Sequence, residues 1–545
     1  MPRDRMLDST PRRFRRFLGL LLAATVLVAC PSEEPTRGAG PPPPIEAPVS
    51  PPSVSTGPQV DLVAPTSPPA KDATTPDPAA HTGPWLWVRR SSAGVFVQPT
   101  TDREGKIGYY KRGAKVPILP GLIEAPGCPK GWLKVATGGV ICSMVGTTDE
   151  KDPLARFSPR QPELGAILPY PYARNAQNGT PLYKSLPSRK QMYQYEPYLP
   201  DAKKAKEAEE EERVRDIEQM KAAGLGVGGE AATDVQPEVP LWEREDNLHE
   251  VTLDDLRKEA DDVLAQRMMK GFYVAIDKTF KWNGRAWYKT TKGLVAPADR
   301  FWQTSGPEFA GIELDGEKWT LPIGFVLSGV KAAPTYRIDV ATKAVAPSGS
   351  FPKFAPVQLS YDYLDLAGTE YYRLQSGDWI RDAHVRVTTP GPRPKEVGDA
   401  ERWIDIDISE QTLVVFEGDR PLYATLISSG KESKIKDKDH STPRGMWRVR
   451  EKHVVSTMDG NGTAAGDMPY SIEDVPYIMY FHKSYATHGA FWHQNFGSQM
   501  SHGCVNLAPL DAKWLYFNTA PGIPAGMHGV WSSDDRPGSW VVVHD

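Results

Sequence analysis

YIMYFHKSYATHGAFWHQNFGSQMSHGCVNLAPLDAKWLYF, residues 477–517, sets His482, His488, His493, His502 and Cys504 between an apolar run and a helical stripe. A cysteine reacts as its thiolate, so a catalytic one requires a base or a positive neighbour and some exposure. Cys504 lies two residues after His502 and sixteen after His488. On an extended strand, residues two apart share a face, which would set His502 near the sulfur; His488 must arrive from another strand or loop. Gly503 removes side-chain bulk beside the cysteine and would leave backbone N–H groups free to approach a developing oxyanion. Pro509 is suited to open a helix, and Leu510, Trp514 and Phe517 then form an apolar stripe expected in the core. Upstream, WIDIDISEQTLVVFEGDRPLYATLISSGK (403–431) alternates Ile404, Ile406 and Ile408 with polar residues and continues into the apolar run Thr412 to Phe416. The pattern predicts antiparallel strands with turns at Ser409–Glu410 and Gly418–Asp419, and STPRGMWRV (441–449) adds a turn before another strand. A mostly β domain begins here.

With that strand context, the stretch resembles the active site of the L,D-transpeptidase (YkuD-type) family. The family signature joins a His-Gly or His-Ser to a later Ser/Thr-His-Gly-Cys, an apolar residue and Asn or Arg. Here those are His488–Gly489 and Ser501–His502–Gly503–Cys504–Val505–Asn506. The resemblance covers residues 402–545. It implies Cys504 as nucleophile, His488 as the base that takes its proton, and the Gly489 carbonyl as an orienter of that imidazole. Ser501, His502 and Gly503 would shape the site and its oxyanion region. Trp492 and His493 would line a compact lid, with Trp492 and Asn506 near substrate. The implied donor is a peptidoglycan tetrapeptide stem, attacked at its third residue to expel terminal D-Ala and leave a thioester. An amine of another stem or of a protein would resolve it, forming a 3→3 crosslink or tethering that protein to the wall, and water would give carboxypeptidase activity. No cofactor is implied.

Two other readings bear on the same residues. The four histidines and Cys504 could ligate zinc, since imidazole and thiolate suit it, but their spacings lack a familiar ligand pair. His482 and His493 read better as structural or substrate-facing groups. Alternatively, the chain is a peptidoglycan-binding envelope scaffold with a vestigial catalytic domain.

At the opposite end, Arg3, Arg5, Arg12, Arg13, Arg15 and Arg16 precede an apolar run from Phe17 to Ala29, the order of a secretory signal and short for a bilayer span. Leu27–Val28–Ala29–Cys30 resembles the lipobox of bacterial lipoproteins. That implies removal of residues 1–29, lipidation of Cys30, and a lipid-anchored chain in the bacterial cell envelope facing the periplasm or wall. Outside the reducing cytosol disulfides persist, so Cys128 and Cys142 can pair. The 52 prolines are densest between Pro31 and Pro84, where they block helix and ladder alike, so residues 30–84 read as a disordered tether.

Between tether and catalytic end, WLWV, GVFVQP, IGYYKRG and GWLKVATGGVIC predict short strands over 85–150. This pattern resembles a bacterial Src-homology-3-type barrel. Related patterns return at 271–301 and 370–387. Residues 151–250 read as an irregular region whose charged segment, Asp201 to Gly224, carries opposite charges at helical spacing. Thr252 and Asp255 resemble a capping box for a helix running toward Arg267, so 251–400 is expected to hold a helix and further small β modules. The whole chain is thus predicted mainly β and multidomain: β-barrel modules followed by a β-rich catalytic domain with a short helix after Cys504. Its 545 residues suit several domains, and its formal charge of -4 offers no field for nucleic acid.

Overall fold

In the computed structural model, residues 81–222, 240–243, 248–327, 329–461 and 468–545 are described. The expected signal peptide, Cys30 and the expected tether through residue 80 lie outside them. The chain is mostly β, as expected. Among the described residues no helix is long and apolar enough to cross a membrane.

The first module packs Trp85–Val88, Lys115–Pro117 and Gly146–Thr147 across from a sheet of Ser92–Phe96, Lys106–Lys111, Trp132–Lys134 and Val140–Cys142. Leu86, Val88, Val95, Tyr110, Val116 and Ile141 alternate inward to form its core. Cys128 and Cys142 form a disulfide with Cα atoms 5.6 Å apart. Closing that loop contributes about 3 kcal/mol in the chain-entropy account.

The irregular reading of 151–250 is overturned. Tyr172–Asn175 and Thr180–Tyr183 are strands of the second module: Ala173 pairs with Val274 on one side and Gln303 on the other. Both are four-residue strands whose pairing is entirely long-range, so no local alternation marked them. The charged segment does form a helix, Ala202–Ala222. The helix expected from Thr252 toward Arg267 is replaced by a single 3₁₀ turn at Asp255–Arg257 and a strand at Leu264–Met268. Its capping-box hydrogen bonds exist, Thr252 N to Asp255 Oδ2 at 2.8 Å and Asp255 N to Thr252 Oγ1 at 3.2 Å. The helix stops because Asp261 Oδ1 takes the Val263 and Leu264 N–H groups, both at 2.7 Å, and turns the chain into the ladder with Thr180–Tyr183.

The three related sequence patterns share a local shape. Each ends in strand, 3₁₀ turn and strand: Val140–Cys142 to Gly146–Thr147, Val295–Pro297 to Phe301–Thr304, and Trp379–Arg381 to Val385–Val387. The third module adds two long hairpins, Ala332–Asp339 with Ala344–Pro352 and Pro356–Leu366 with Thr369–Leu374.

The C-terminal domain is built from β1 (Arg402–Asp407), β2 (Thr412–Glu417), β3 (Arg420–Leu426), β4 (Gly445–Arg448), β5 (Glu451–Gly460), β6 (Tyr470–His482), β7 (Tyr485–Gly489), β8 (Val505–Leu507), helix α1 (Pro509–Asn518), β9 (Gly529–Trp531) and β10 (Trp540–His544). One sheet runs β3-β2-β1-β10-β4, with Ile312–Glu313 added at the β3 edge. The other holds β9-β5-β6-β7-β8. Ile404, Ile406 and Val415 from the first sheet and Val455, Ile478 and Val505 from the second share one core with Leu515 of α1. The upstream modules extend the second sheet: Gly108 pairs with Val530, and Tyr273 pairs in parallel with Ile472.

Helix α1 starts at Pro509 as expected; its fully buried face is Pro509, Asp511, Ala512, Leu515 and Tyr516, while Trp514 and Phe517 of the expected stripe pack half-buried against the same core. Asp511 can be buried because Tyr423 donates to it at 2.6 Å and the Gly311 N–H at 2.6 Å. Trp514 lies across Tyr423 at 4.2 Å. At the far end of α1, the fully buried Lys452 donates to the Tyr516 carbonyl at 2.8 Å and Thr519 Oγ1 at 3.0 Å. Burial holds the Lys452 amine well below the usual lysine range, and its N–H groups serve as donors to the carbonyl end of the helix. Lys452→Met strands those acceptors without water, and the expected loss, about 3 kcal/mol, is read as a lowered urea midpoint.

On β10, His544 Nε2 lies 3.0 Å from both oxygens of the buried Asp405. These bonds hold His544 up from 6.5 to about 9. Burial outweighs the partner at Asp405 and pushes that carboxyl up too. A folded value above the unfolded one means stability that is complete below pH 6.5 and lost as pH rises through about 9. Thermal melts across this window therefore show falling midpoints, and His544→Gln flattens the fall.

Candidate active site

Strand β6 is buried along almost its whole length and turns at Lys483, φ 45°, into β7. β7 then pairs in parallel with β8: Thr487 opposite Val505, His488 opposite Asn506, Gly489 opposite Leu507. Paired residues of parallel strands point to the same face, and each strand alternates with period two. Asn506 and His488 therefore share one face, and Cys504 is the last residue of the bend that enters β8, beside the Ala486 backbone. The Cys504 sulfur lies 3.8 Å from the Ser484 carbonyl, at the mouth of the β6–β7 turn. Among the described residues Cys504 is the free cysteine, and it keeps some accessible surface.

Burial dominates the electrostatics of both groups. It pushes the Cys504 thiol up, with the Ala486 backbone partly opposing. It drives His488, 2% exposed, down from 6.5 to about 4, the Gly489 backbone opposing and His493 assisting. The Gly489 group thus favours a protonated ring, although His488 Nδ1 makes no hydrogen bond of good geometry. The resting pair is therefore neutral thiol and neutral imidazole. The Trp492 ring lies nearly parallel to His488, centroids 5.7 Å apart.

The approach to Cys504 is a tight bend. Ser501 Oγ accepts the Gly503 N–H at 3.1 Å and donates to the Cys504 carbonyl. The Gly503 amide expected to be free for an oxyanion is therefore engaged. Gly503 has φ 118°, and a Cβ there would sit 2.6 Å from the Tyr485 ring. Because the bend ends extended geometry before Val505, the period-two argument does not carry back to His502. That side chain is exposed, 4.6 Å from His440 and stacked on Tyr470 at 5.4 Å.

His493 Nδ1 accepts the Asn495 N–H at 3.2 Å, and Nε2 lies 2.9 Å from the Asn506 side-chain amide. Burial pushes this ring down to about 4, so at neutral pH one of its nitrogens is an acceptor. His482 packs between Trp447 at 4.7 Å and Tyr485 at 6.0 Å. Among the described residues no group of three His, Cys, Asp or Glu side chains is placed to hold a metal ion.

Several site residues escaped the sequence reading. Thr442 Oγ1 donates to the Gly503 carbonyl at 2.8 Å and accepts the Gly430 N–H at 2.9 Å, tying the cysteine bend to the end of β3. A Cβ on Gly430 would meet the His440 carbonyl at 1.9 Å and the Gly503 Cα at 2.8 Å. The STPRG segment is expected only as a turn, and nothing local marks the bonding of Thr442, nor Gly430 or Tyr470.

Residues 401–543 match the family model of the L,D-transpeptidase catalytic domain, YkuD. A Bacillus subtilis (strain 168) protein, YciB, whose name gives the same activity provisionally, is 29% identical over 132 residues, covering 21% of this chain and 60% of that protein. Among solved structures, the L,D-transpeptidase from Mycobacterium smegmatis is 22% identical, with TM-score 0.22, over 33% of this chain and 80% of that one. The catalytic domain of the E. faecium L,D-transpeptidase is also 22% identical, with TM-score 0.20, over 27% of this chain and 98% of that one.

A neutral resting pair predicts that wild type and Cys504→Ala show no difference in thiolate absorbance at neutral pH, and that alkylation of Cys504 accelerates only toward alkaline pH. A thiolate–imidazolium pair would instead give a plateau extending into mild acid. Gly503→Ala, forced into Tyr485 at an unfavourable φ, is expected to slow Cys504 reactions about 100-fold by displacing the bend.

Proposed function

We propose that the chain is a peptidoglycan L,D-transpeptidase whose nucleophile is Cys504. One observation supports the reading: His488 stands on β7 and Cys504 immediately precedes β8, its parallel partner, within the segment matching the family model. In the proposed reaction the thiol gives its proton to the neutral His488 ring as sulfur attacks the carbonyl of the third stem residue. The tetrahedral oxyanion draws on an amide other than that of Gly503, the Cys504 N–H being next along the chain. Collapse breaks the C–N bond to the terminal D-Ala, whose amine leaves with the proton from His488, and a thioester remains. An acceptor amine then attacks it and loses its proton to His488, restoring the thiol. A stem amine gives a 3→3 crosslink, and a protein amine joins that protein to the wall. His488 is unprotonated at neutral pH and so open to the thiol proton, while burial makes it a weaker base than an ordinary imidazole.

The N-terminal reading belongs to the same proposal. Cys30 carries lipid, residues 30–84 form the spacer, and the enzyme faces the periplasm or wall. Disulfide-bonded Cys128–Cys142 accords with that compartment.

Intact-mass spectrometry of the protein incubated with a disaccharide tetrapeptide, and separately with a carbapenem, tests the chemistry. Wild type is expected to gain an acyl adduct and Cys504→Ala none. An adduct on the alanine variant, or a folded, reduced wild type that stays unmodified, sinks the reading.

A further inference from the structure

Residues 490–500, which join β7 to the cysteine bend, hold no helix or strand. Such segments beside a reactive group are ordinarily among the least stable parts of a protein and act as lids. This one is gripped at two points from outside its own domain. Phe491, 2% exposed, packs against Tyr172 at 4.2 Å and Tyr273 at 5.4 Å, both in the second module. Gly306, φ 74°, passes so close that a Cβ there would lie 3.2 Å from the Phe491 Cβ. Phe496, fully buried, stacks on Phe309 at 5.8 Å and meets Phe354 at 6.4 Å. The next carbonyl, Gly497, accepts from Arg386 Nε at 3.2 Å, and a Gly497 Cβ would lie 2.9 Å from Leu327.

Between the two grips stand the residues that contact His488 and Asn506. Trp492, edge-on to Phe491 at 5.2 Å, lies over the His488 ring. His493, 5.0 Å from Phe496, bonds Asn506. Tyr172, Tyr273, Phe309, Phe354 and Arg386 all precede residue 401, where the family match begins. We infer that Phe491 and Phe496 are positioning residues through which the upstream modules fix Trp492 on His488 and His493 on Asn506. The modules thereby serve as part of the site's scaffold, a role that rests on the proposed function for its catalytic meaning.

The test uses the full chain as wild type, Phe491→Ala, Phe496→Ala, the conservative Phe491→Leu, and Leu182→Ala as a control that loosens the second module's core. Two readouts are taken: hydrogen exchange of residues 490–500, and the saturation kinetics of acylation by a carbapenem. Both alanine variants are expected to exchange the segment about tenfold faster. Their limiting acylation rate falls about tenfold while half-saturation barely moves, as expected when geometry and not affinity is lost. Phe491→Leu recovers most of the rate, and Leu182→Ala leaves both readouts near wild type. Unchanged exchange in the alanine variants overturns the inference, as does faster exchange without slower acylation, or an equal loss in Leu182→Ala. A wild type that takes no adduct refutes the proposed function instead, and the exchange readout alone then supports or overturns the grip.

Discussion

The short parallel ladder between Tyr485–Gly489 and Val505–Leu507 is the constraint on which the site depends. Parallel neighbours need a crossover, and here the crossover is the irregular segment 490–500 followed by the Ser501–Gly503 bend. A slip of one residue would turn Asn506 to the opposite face from His488 and move the bend that ends at Cys504. Register is held from both ends. Leu507 accepts the Ala490 N–H at 2.8 Å, and Ser428 exchanges backbone bonds with Asn506 at 2.9 Å in each direction. Thr442 and Gly430 then pin the bend that delivers the cysteine.

Beneath this ladder, helix α1 is fixed by buried polar groups as much as by apolar packing. Asp511 near its start and Lys452 at its end are each enclosed and each satisfied by named partners. Such groups stabilise one placement of the helix strongly, because any shift leaves a charge or a dipole unpaired in a low dielectric. Ala512 and Leu515 supply burial, but these polar contacts set where along the sheet the helix stops.

What the sequence disclosed follows the range of the interactions involved. The alternation at Ile404 to Ile408, the turn at Gly418–Asp419 and the helix start at Pro509 are local, and each appears where its pattern placed it. The Cys128–Cys142 link was likewise readable from compartment and spacing. Long-range pairing was not readable. Tyr172–Asn175 becomes a strand only because two distant strands flank it, and the capping box at Thr252 lost its helix to a side chain six residues past Asp255. Within the site, Cys504 and His488 stand out by residue type and spacing, whereas the position of His502 is set by the bend at Gly503, which no strand period describes. Thr442 does its bonding through one hydroxyl with partners far along the chain, a signal no local pattern carries.

The pairing of Gly108 with Val530 joins the first folded module to nearly the last strand. A chain that emerges N-terminus first, from a ribosome or across a membrane, leaves the edge of Lys106–Lys111 with open backbone groups until the final residues follow. The second module's contact at Ile472 likewise comes late. Contacts of such wide separation are slow to form and expose strand edges meanwhile. The architecture therefore delays assembly of the reactive centre until synthesis is complete, and any product ending before about residue 531 carries an uncovered edge and an unfinished fold.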